Sequence, residues 1–234
     1  MNIAGLEASS VLDYPKKLCS VFFCQGCNYD CFYCHNRSLI GRSTGILGYQ
    51  EIQSFLLARK GFIQAVVVSG GEPTLQKDLL SFIGNIRNLG FAVKLDTNGS
   101  KPEVVERLLD SALLSYAAVD VKAPFERYTQ FVGGNGDALA VKQSVALLNE
   151  YHKNHPDFSY EVRTTLAPTL AMEDLCCMVE EYPPLQRWYL QEYRLPKHYK
   201  KEDEKLINLP SLSRGEIEKR LPLLRTYQPN LVIR

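Results

Sequence analysis

The apolar and polar positions of this chain divide it into short β-rich runs, each followed by a stretch with helical spacing. Runs of β-branched and aromatic residues occur at "LCSVFF" (18–23), "AVVVS" (65–69), "FAVKLD" (91–96), "YAAVDV" (116–121), "YEVRTTL" (160–166) and "RWYLQEY" (187–193), and each reads as a strand. Ile52, Phe55 and Leu56 give the first helical stripe. Leu79, Phe82, Ile83 and Ile86 give the second at i, i+3, i+4, i+7, with Gly90 placed as its C-terminal stop. Val104, Val105, Leu108 and Leu109 mark a third helix, and further helices are predicted near 137–152 and 170–182. A last helix starts at the capping box Ser213 to Glu216, and Pro222 is expected to limit how far it runs.

Alternating strand and helix units predict a parallel α/β sheet whose apolar strands are buried on both faces. Periodicity does not choose between an open doubly wound sheet and an incomplete barrel, but either places ligands at the C-terminal ends of the strands. No repeat, low-complexity tract or Ser/Gly linker breaks the pattern, so 1–234 reads as a single domain.

The unusual residues lie at those strand ends. The loop "CQGCNYDCFYCHN" follows the first strand, "SGGEPT" (69–74) the second, "DTNG" (96–99) ends the third, "DVKAP" (120–124) ends the fourth, and Arg163 is late in the fifth. Any one could be a turn. Five at one rim describe an active site.

Composition narrows the chemistry. Apolar residues make up 45% of the 234, enough for a substantial core without staples, and 27 Lys plus Arg against 26 Asp plus Glu give no field that would favour nucleic acid. The N-terminal "MNIAGLEASSVLDYPKK" lacks a signal peptide's basic and apolar regions, and no apolar run approaches the ~20 residues of a membrane span. The expected address is the cytoplasm, with no membrane partner. Thiols stay reduced there, so a dense cysteine cluster points to metal rather than disulfides.

Cys27, Cys31 and Cys34 are spaced C-x3-C-x2-C. Structural zinc usually takes a second ligand pair, which is missing. Cys176 and Cys177 are adjacent on a predicted helix, about 100° apart, and read as ordinary small core residues. Three thiolates in a compact loop suit a [4Fe–4S] cluster with one iron left open, whereas ferredoxin-type clusters take four. Cys24, spaced C-x2-C from Cys27, remains open as a fourth ligand or as a small residue ending a strand.

At this point the chain resembles a known family. "CNYDCFYC" matches the signature of the radical S-adenosylmethionine (SAM) enzymes, with Tyr33 at a commonly aromatic position. The wider "DYP…FFCQGCNYDCFYCHN" is similar to the activating enzymes of glycyl radical proteins, most closely the longer form of the anaerobic ribonucleoside-triphosphate reductase activators. The resemblance implies a partial (β/α)6 TIM-like barrel in which Cys27, Cys31 and Cys34 hold three irons and SAM chelates the fourth. It implies that Gly70, Gly71 and Glu72 meet the SAM amino group, the glycines allowing close backbone approach. Asp96, Thr97, Asp120 and Lys122 match elements that build a monovalent cation site beside the SAM carboxylate, and Arg163 would face that carboxylate or the ribose. Tyr33 would contact the adenine, His35 and Asn36 would sit around the cluster, and Asp13 would lie near an incoming glycine loop. The implied partners are a glycyl radical enzyme and a flavodoxin or ferredoxin that donates one electron.

Some positions depart from the family pattern. Arg37 follows "CHN" where proline is usual, Cys24 stands where threonine or leucine is common, and "DYPK" replaces the "DGPG" of pyruvate formate-lyase activators. No cysteine lies between Cys34 and Gly70, so the ferredoxin-like insert of some activators is missing. Two other readings stay open, a radical SAM enzyme acting on a small molecule or peptide, and a non-catalytic Fe–S or zinc protein. The second leaves the Gly-Gly-Glu, D-T and D-x-K elements without a role.

Overall fold

Strand order settles what periodicity left open. The computed structural model describes residues 1–41 and 47–234. Strands β1 (Ile3–Ser10), β2 (Cys19–Cys24), β3 (Ala65–Gly70), β4 (Ala92–Thr97), β5 (Tyr116–Asp120), β6 (Ser159–Thr165), β7 (Trp188–Gln191) and β8 (Leu231–Ile233) form one sheet in chain order. A doubly wound sheet reverses its order at a switch point. This one never does, so the crossovers return on the same side and the sheet curls as an open, partial barrel with β1 and β8 at its edges. β1 runs antiparallel to β2, and every other neighbouring pair is parallel.

The helices are α1 (Tyr49–Arg59), α2 (Leu79–Asn88), α3 (Pro102–Asp110), α4 (Tyr128–Val132), α5 (Ala138–Asn154), α6 (Met172–Glu180), α7 (Glu204–Ile207) and α8 (Arg214–Tyr227). The two-residue period of a strand sends alternate side chains to opposite faces. Phe22, Val66, Val68, Val93, Leu95, Val119 and Val162 join Leu56, Ile83, Leu108 and Val145 of the helices in the main core. The intervening Cys19, Val21, Ala65, Val67 and Tyr116 pack on the inner face. Towards the C-terminal ends that same inner parity delivers Ser69, Asp96, Asp120 and Arg163, so the pleat that builds the core also aims the polar rim inward.

The sequence pattern missed both edge strands. β1 reads "IAGLEASS", mostly small residues of which only Ile3 is fully buried, and β8 is three residues long. Two further expectations are corrected. α8 continues through Pro222 to Tyr227 instead of stopping. Proline removes one helical hydrogen bond, but Leu224 beyond it is fully buried. The Gln228 amide at the helix end also donates to the carbonyls of Val179, Tyr182 and Pro183 at 3.1, 3.0 and 3.1 Å, so tertiary anchoring holds the last turn. Cys177 is exposed, so it is not a core residue, whereas Cys176 is half-buried and packs at the edge of the main core. Among the described residues no helix is long and apolar enough to cross a membrane.

Candidate active site

The cysteine loop leaves β2 at Cys24 and is held from several sides. Gly26 and Cys27 N–H groups donate to the carbonyls of Leu39 and Ile40 at 2.7 and 3.2 Å, closing the loop on itself. The Gln25 side-chain amide donates to the Ser38 and Gly41 carbonyls at 3.1 and 2.6 Å, and Asp30 N–H donates to Val132 O at 2.8 Å. The end of β3 packs flat against it. Gly71 N–H donates to Cys24 O at 2.9 Å and Glu72 N–H to Gly26 O at 2.8 Å.

This packing explains the glycine pair. Gly70 has φ +117°, and a Cβ there would strike the backbone N and O of Cys24, while one on Gly71 would strike Gly26 O. The pair is required by the approach of the cysteine loop as well as by any ligand on its open side. Gly71→Ala is therefore expected to push the loop off β3 and weaken iron loading, measured as iron bound per chain after anaerobic reconstitution; normal loading would refute the packing argument.

Cys27, Cys31, Tyr33, Cys34, Gly70, Gly71, Asp96, Thr97, Asp120, Lys122 and Arg163 all line one cavity of about 210 Å³, together with His35 and Asn36. Two residues singled out in the sequence do not. Glu72 is fully buried beneath it, accepting from Thr97 Oγ and Asn98 N–H, both at 2.6 Å, and from Thr74 N–H at 3.0 Å. Its burial raises its pKa against these hydrogen bonds. Glu72 thus joins the turn after β3 to the turn after β4. Asp13 lies on the β1–β2 loop at the opposite, N-terminal end of the barrel, where Ser10 Oγ donates to its carboxylate.

Cys24 also stays apart. It is fully buried in the main core, on the helix-facing side of β2, and is not among the cavity residues. The three cavity thiols suit a soft-metal or Fe–S centre. Burial pushes the Cys27 thiol to about 11 and the Cys31 thiol to about 12, and it raises Cys34 as well, so loading a metal must displace their protons. Tyr33 is 5% exposed, its ring set edge-on against Phe32, and its buried hydroxyl has no hydrogen-bond partner among the described residues. A ligand in the cavity could supply one.

The rim opposite the thiols is a charge lattice. Arg163 bridges two strands, with Nη1 3.2 Å from Asp96 Oδ2 and Nε 2.8 Å from Asp120 Oδ1. Lys122 Nζ lies 3.2 Å from Asp120 Oδ2, and Lys94 Nζ lies 3.2 Å from Asp96 Oδ1. Burial pushes the Asp120 carboxyl up, but Arg163 and Lys122 outweigh it and hold the group down at about 2. Asp96 is likewise lowered, as Arg163 and Lys94 overcome its burial.

A depressed folded-state pKa contributes stability above the ordinary carboxylate value, roughly 4, and loses it as the pH falls toward the folded value. Acid titration of the cofactor-free protein, followed by circular dichroism, is expected to show this loss between roughly pH 4 and about 2. Asp120→Asn should flatten that limb; superimposable curves would show that the ion pairs contribute nothing.

Sequence reasoning missed several contributors. Arg37, noted only as a departure from proline, places Nη1 and Nη2 each 2.8 Å from Asp30 Oδ1, and Nη2 also lies 3.3 Å from Asp203 Oδ2. Lys200 pairs with the other Asp30 oxygen, so the cysteine loop is clasped to the 200–203 segment. Proline could not make these bonds. Asn98 also escaped notice: its amide donates to Asn28 Oδ1 at 2.9 Å and reaches 4.0 Å from Cys27 Sγ. The "DTNG" string carried that signal.

Residues 21–176 match the model of the Radical SAM superfamily, and the chain belongs to that superfamily. Along nearly its whole length it is 34% identical to a Methanocaldococcus jannaschii protein provisionally named a glycyl-radical enzyme activating enzyme, over 99% of this chain and 95% of that one, which places it in that activating family. Among solved structures, it is similar to QueE from Escherichia coli, with TM-score 0.56 and 16% identity over 99% of this chain and 92% of that one. TYW1 with a lysine-pyruvate adduct is similar at TM-score 0.60 and 20% identity, over 90% of this chain and 74% of that one. These two likenesses concern the fold, and agree with the partial barrel.

Proposed function

We propose that this enzyme binds a [4Fe–4S] cluster and SAM in the cavity at the C-terminal strand ends and generates a glycyl radical on a partner, anaerobic ribonucleoside-triphosphate reductase. The observation that carries the reading is that the C-x3-C-x2-C thiols, the Gly70-Gly71 backbone and the Asp96–Arg163–Asp120–Lys122 lattice line the same cavity. With a cluster held by Cys27, Cys31 and Cys34 and SAM beside it, the site would supply one-electron reductive cleavage of SAM, the electron coming from a flavodoxin or ferredoxin, and hydrogen-atom removal from a glycine Cα of the partner.

Each part of the chain has a task in this reading. Cys27, Cys31 and Cys34 hold three irons and leave the fourth for SAM. The Gly70–Gly71 backbone faces the amino group, while Glu72, its carboxylate committed to Thr74, Thr97 and Asn98, holds the flanking turns in place. Arg163 and Lys122 offer positive charge to the SAM carboxylate, Asp96 and Thr97 border it, and Tyr33 packs at the adenine. His35 and Asn36 lie beside the cluster, whereas Asp13, at the N-terminal end of the barrel, stands away from the cavity mouth where a glycine loop would enter.

Asp96, Asp120 and Glu161 are matched within the barrel by Lys94, Lys122 and Arg163. A monovalent cation beside SAM therefore meets a lattice already neutral, and replacing K⁺ by a tetraalkylammonium ion measures what it contributes. The activase step is tested by mixing the reduced, SAM-loaded enzyme with the reductase and recording the EPR spectrum. A glycyl doublet is expected. SAM cleavage without a doublet on any glycyl radical enzyme would contradict the activase reading.

A further inference from the structure

Lys94 is a buried cation to which the cofactor reading gives no task. It lies on the inner face of β4, two residues before Asp96, and is 3% exposed. Its ammonium donates to the backbone carbonyl of Asp13 at 2.7 Å, and lies 3.2 Å from Asp96 Oδ1 and 3.7 Å from Glu161 Oε1. It also sits 5.5 Å from the centre of the Tyr116 ring, and the Tyr116 hydroxyl donates to Glu161 Oε2 at 2.7 Å. Asp13 belongs to the loop at the N-terminal end of the barrel, whereas Asp96 lines the cavity at the other. One ammonium touches both.

The two Asp96 oxygens are held from different directions. Oδ2 is held by Arg163 at 3.2 Å and Ser69 Oγ at 3.3 Å, both from the rim, whereas Oδ1 accepts no hydrogen bond among the described residues and meets the Lys94 ammonium from below as an ion pair. Without Lys94 the carboxylate would be free to turn wholly toward Arg163, and the Asp13 carbonyl would lose its side-chain donor. The loop it anchors carries Val11 and Leu12, 72% and 76% exposed, the two most exposed large apolar residues among the described residues.

We propose that Lys94 is a positioning residue that sets the Asp96 carboxylate from beneath the cavity and couples its placement to the β1–β2 loop. The inference rests on the SAM reading only for what Asp96 meets; the mechanical link stands on the contacts themselves. Because coupling between two sites is reciprocal, what moves the 10–17 loop changes how the cavity holds its ligand, and a ligand in the cavity steadies the loop.

Two variants test it. Lys94→Met removes the charge at similar length, and Lys94→Met with Glu161→Gln removes both partners and keeps the interior neutral, in case the single change leaves a buried carboxylate that the fold does not tolerate. In the cofactor-free chain, hydrogen exchange at the Leu12, Asp13 and Lys17 amides is expected to speed up by about 10-fold, the effect of losing roughly 1.4 kcal/mol of local protection. In the reconstituted enzyme the KM for SAM is expected to rise by about 10-fold or more with kcat little changed, and Lys94→Arg should recover most of it. In an Asp96→Asn background the Lys94 effect on KM should largely vanish, since it acts through that carboxylate.

An unchanged exchange rate in the paired variant would overturn the link to the loop, and an unchanged KM, or an equal effect with Asp96→Asn, would overturn the positioning role. If wild-type enzyme neither binds nor cleaves SAM, the cofactor reading fails by itself, and the exchange measurement still decides whether Lys94 ties the two ends together.

Discussion

Cys31→Ala is expected to abolish SAM-dependent formation of 5′-deoxyadenosine, whereas Cys24→Ala preserves most of it. The two residues are seven positions apart on the same loop and strand, and both are buried. Their surroundings separate them. Cys31 lines the cavity with Cys27 and Cys34, while Cys24 sits on the helix-facing side of β2 in the main core. Losing one of three thiolates leaves the cluster without a complete ligand set. Losing the Cys24 sulfur removes one small apolar group, a stability cost of order 1 kcal/mol that folded protein survives. The comparison is made on protein reconstituted with iron and sulfide, quantifying iron and 5′-deoxyadenosine for each variant. Equal losses would make Cys24 a cluster residue.

The second large effect is expected at Arg163. Its guanidinium bridges Asp96 on β4 and Asp120 on β5, and it is 15% exposed. Arg163→Met leaves two carboxylates facing each other with only Lys94 and Lys122 beside them. Removing one partner of a buried ion pair typically costs about 3–5 kcal/mol, so the melting temperature of the cofactor-free chain should fall by many degrees and SAM binding should weaken with it. Arg163→Lys should recover only part, because one ammonium cannot reproduce the separate Nε and Nη1 contacts. Adding Asp120→Asn to Arg163→Met should restore stability by relieving the repulsion, without restoring SAM affinity. A wild-type melting temperature for Arg163→Met would contradict this account of the lattice.

The site was legible where chemistry follows from spacing. The thiol loop, the glycine pair, "DTNG" and "DVKAP" each end a strand, and a parallel sheet gathers strand ends at one rim, so strings far apart in the sequence converge on one cavity. The elements that escaped lack such a signature. β1 is built of small, half-exposed residues, and β8 is too short for alternation to register. Lys94 interrupts "FAVKLD" as a solvated lysine would, and Glu161 looks the same in "YEVRTTL"; only pairing across the barrel floor makes either tolerable inside. The motif points Glu72 at the ligand, yet its carboxylate closes two turns beneath it. Pro222 reads locally as a helix breaker, while packing beyond it at Leu224 and Gln228 decides the helix. Arg37 read as an odd residue in a motif, because its partners at Asp30 and Asp203 come from its own loop and from a segment far along the chain.

The most direct test of the account is 5′-deoxyadenosine formed from SAM by the chain after anaerobic reconstitution with iron and sulfide and reduction with dithionite. The account predicts about four irons per chain, as a single [4Fe–4S] cluster requires, with 5′-deoxyadenosine formed only when SAM, cluster and reductant are all present. A chain that takes up zinc in preference to iron and leaves SAM intact would contradict it.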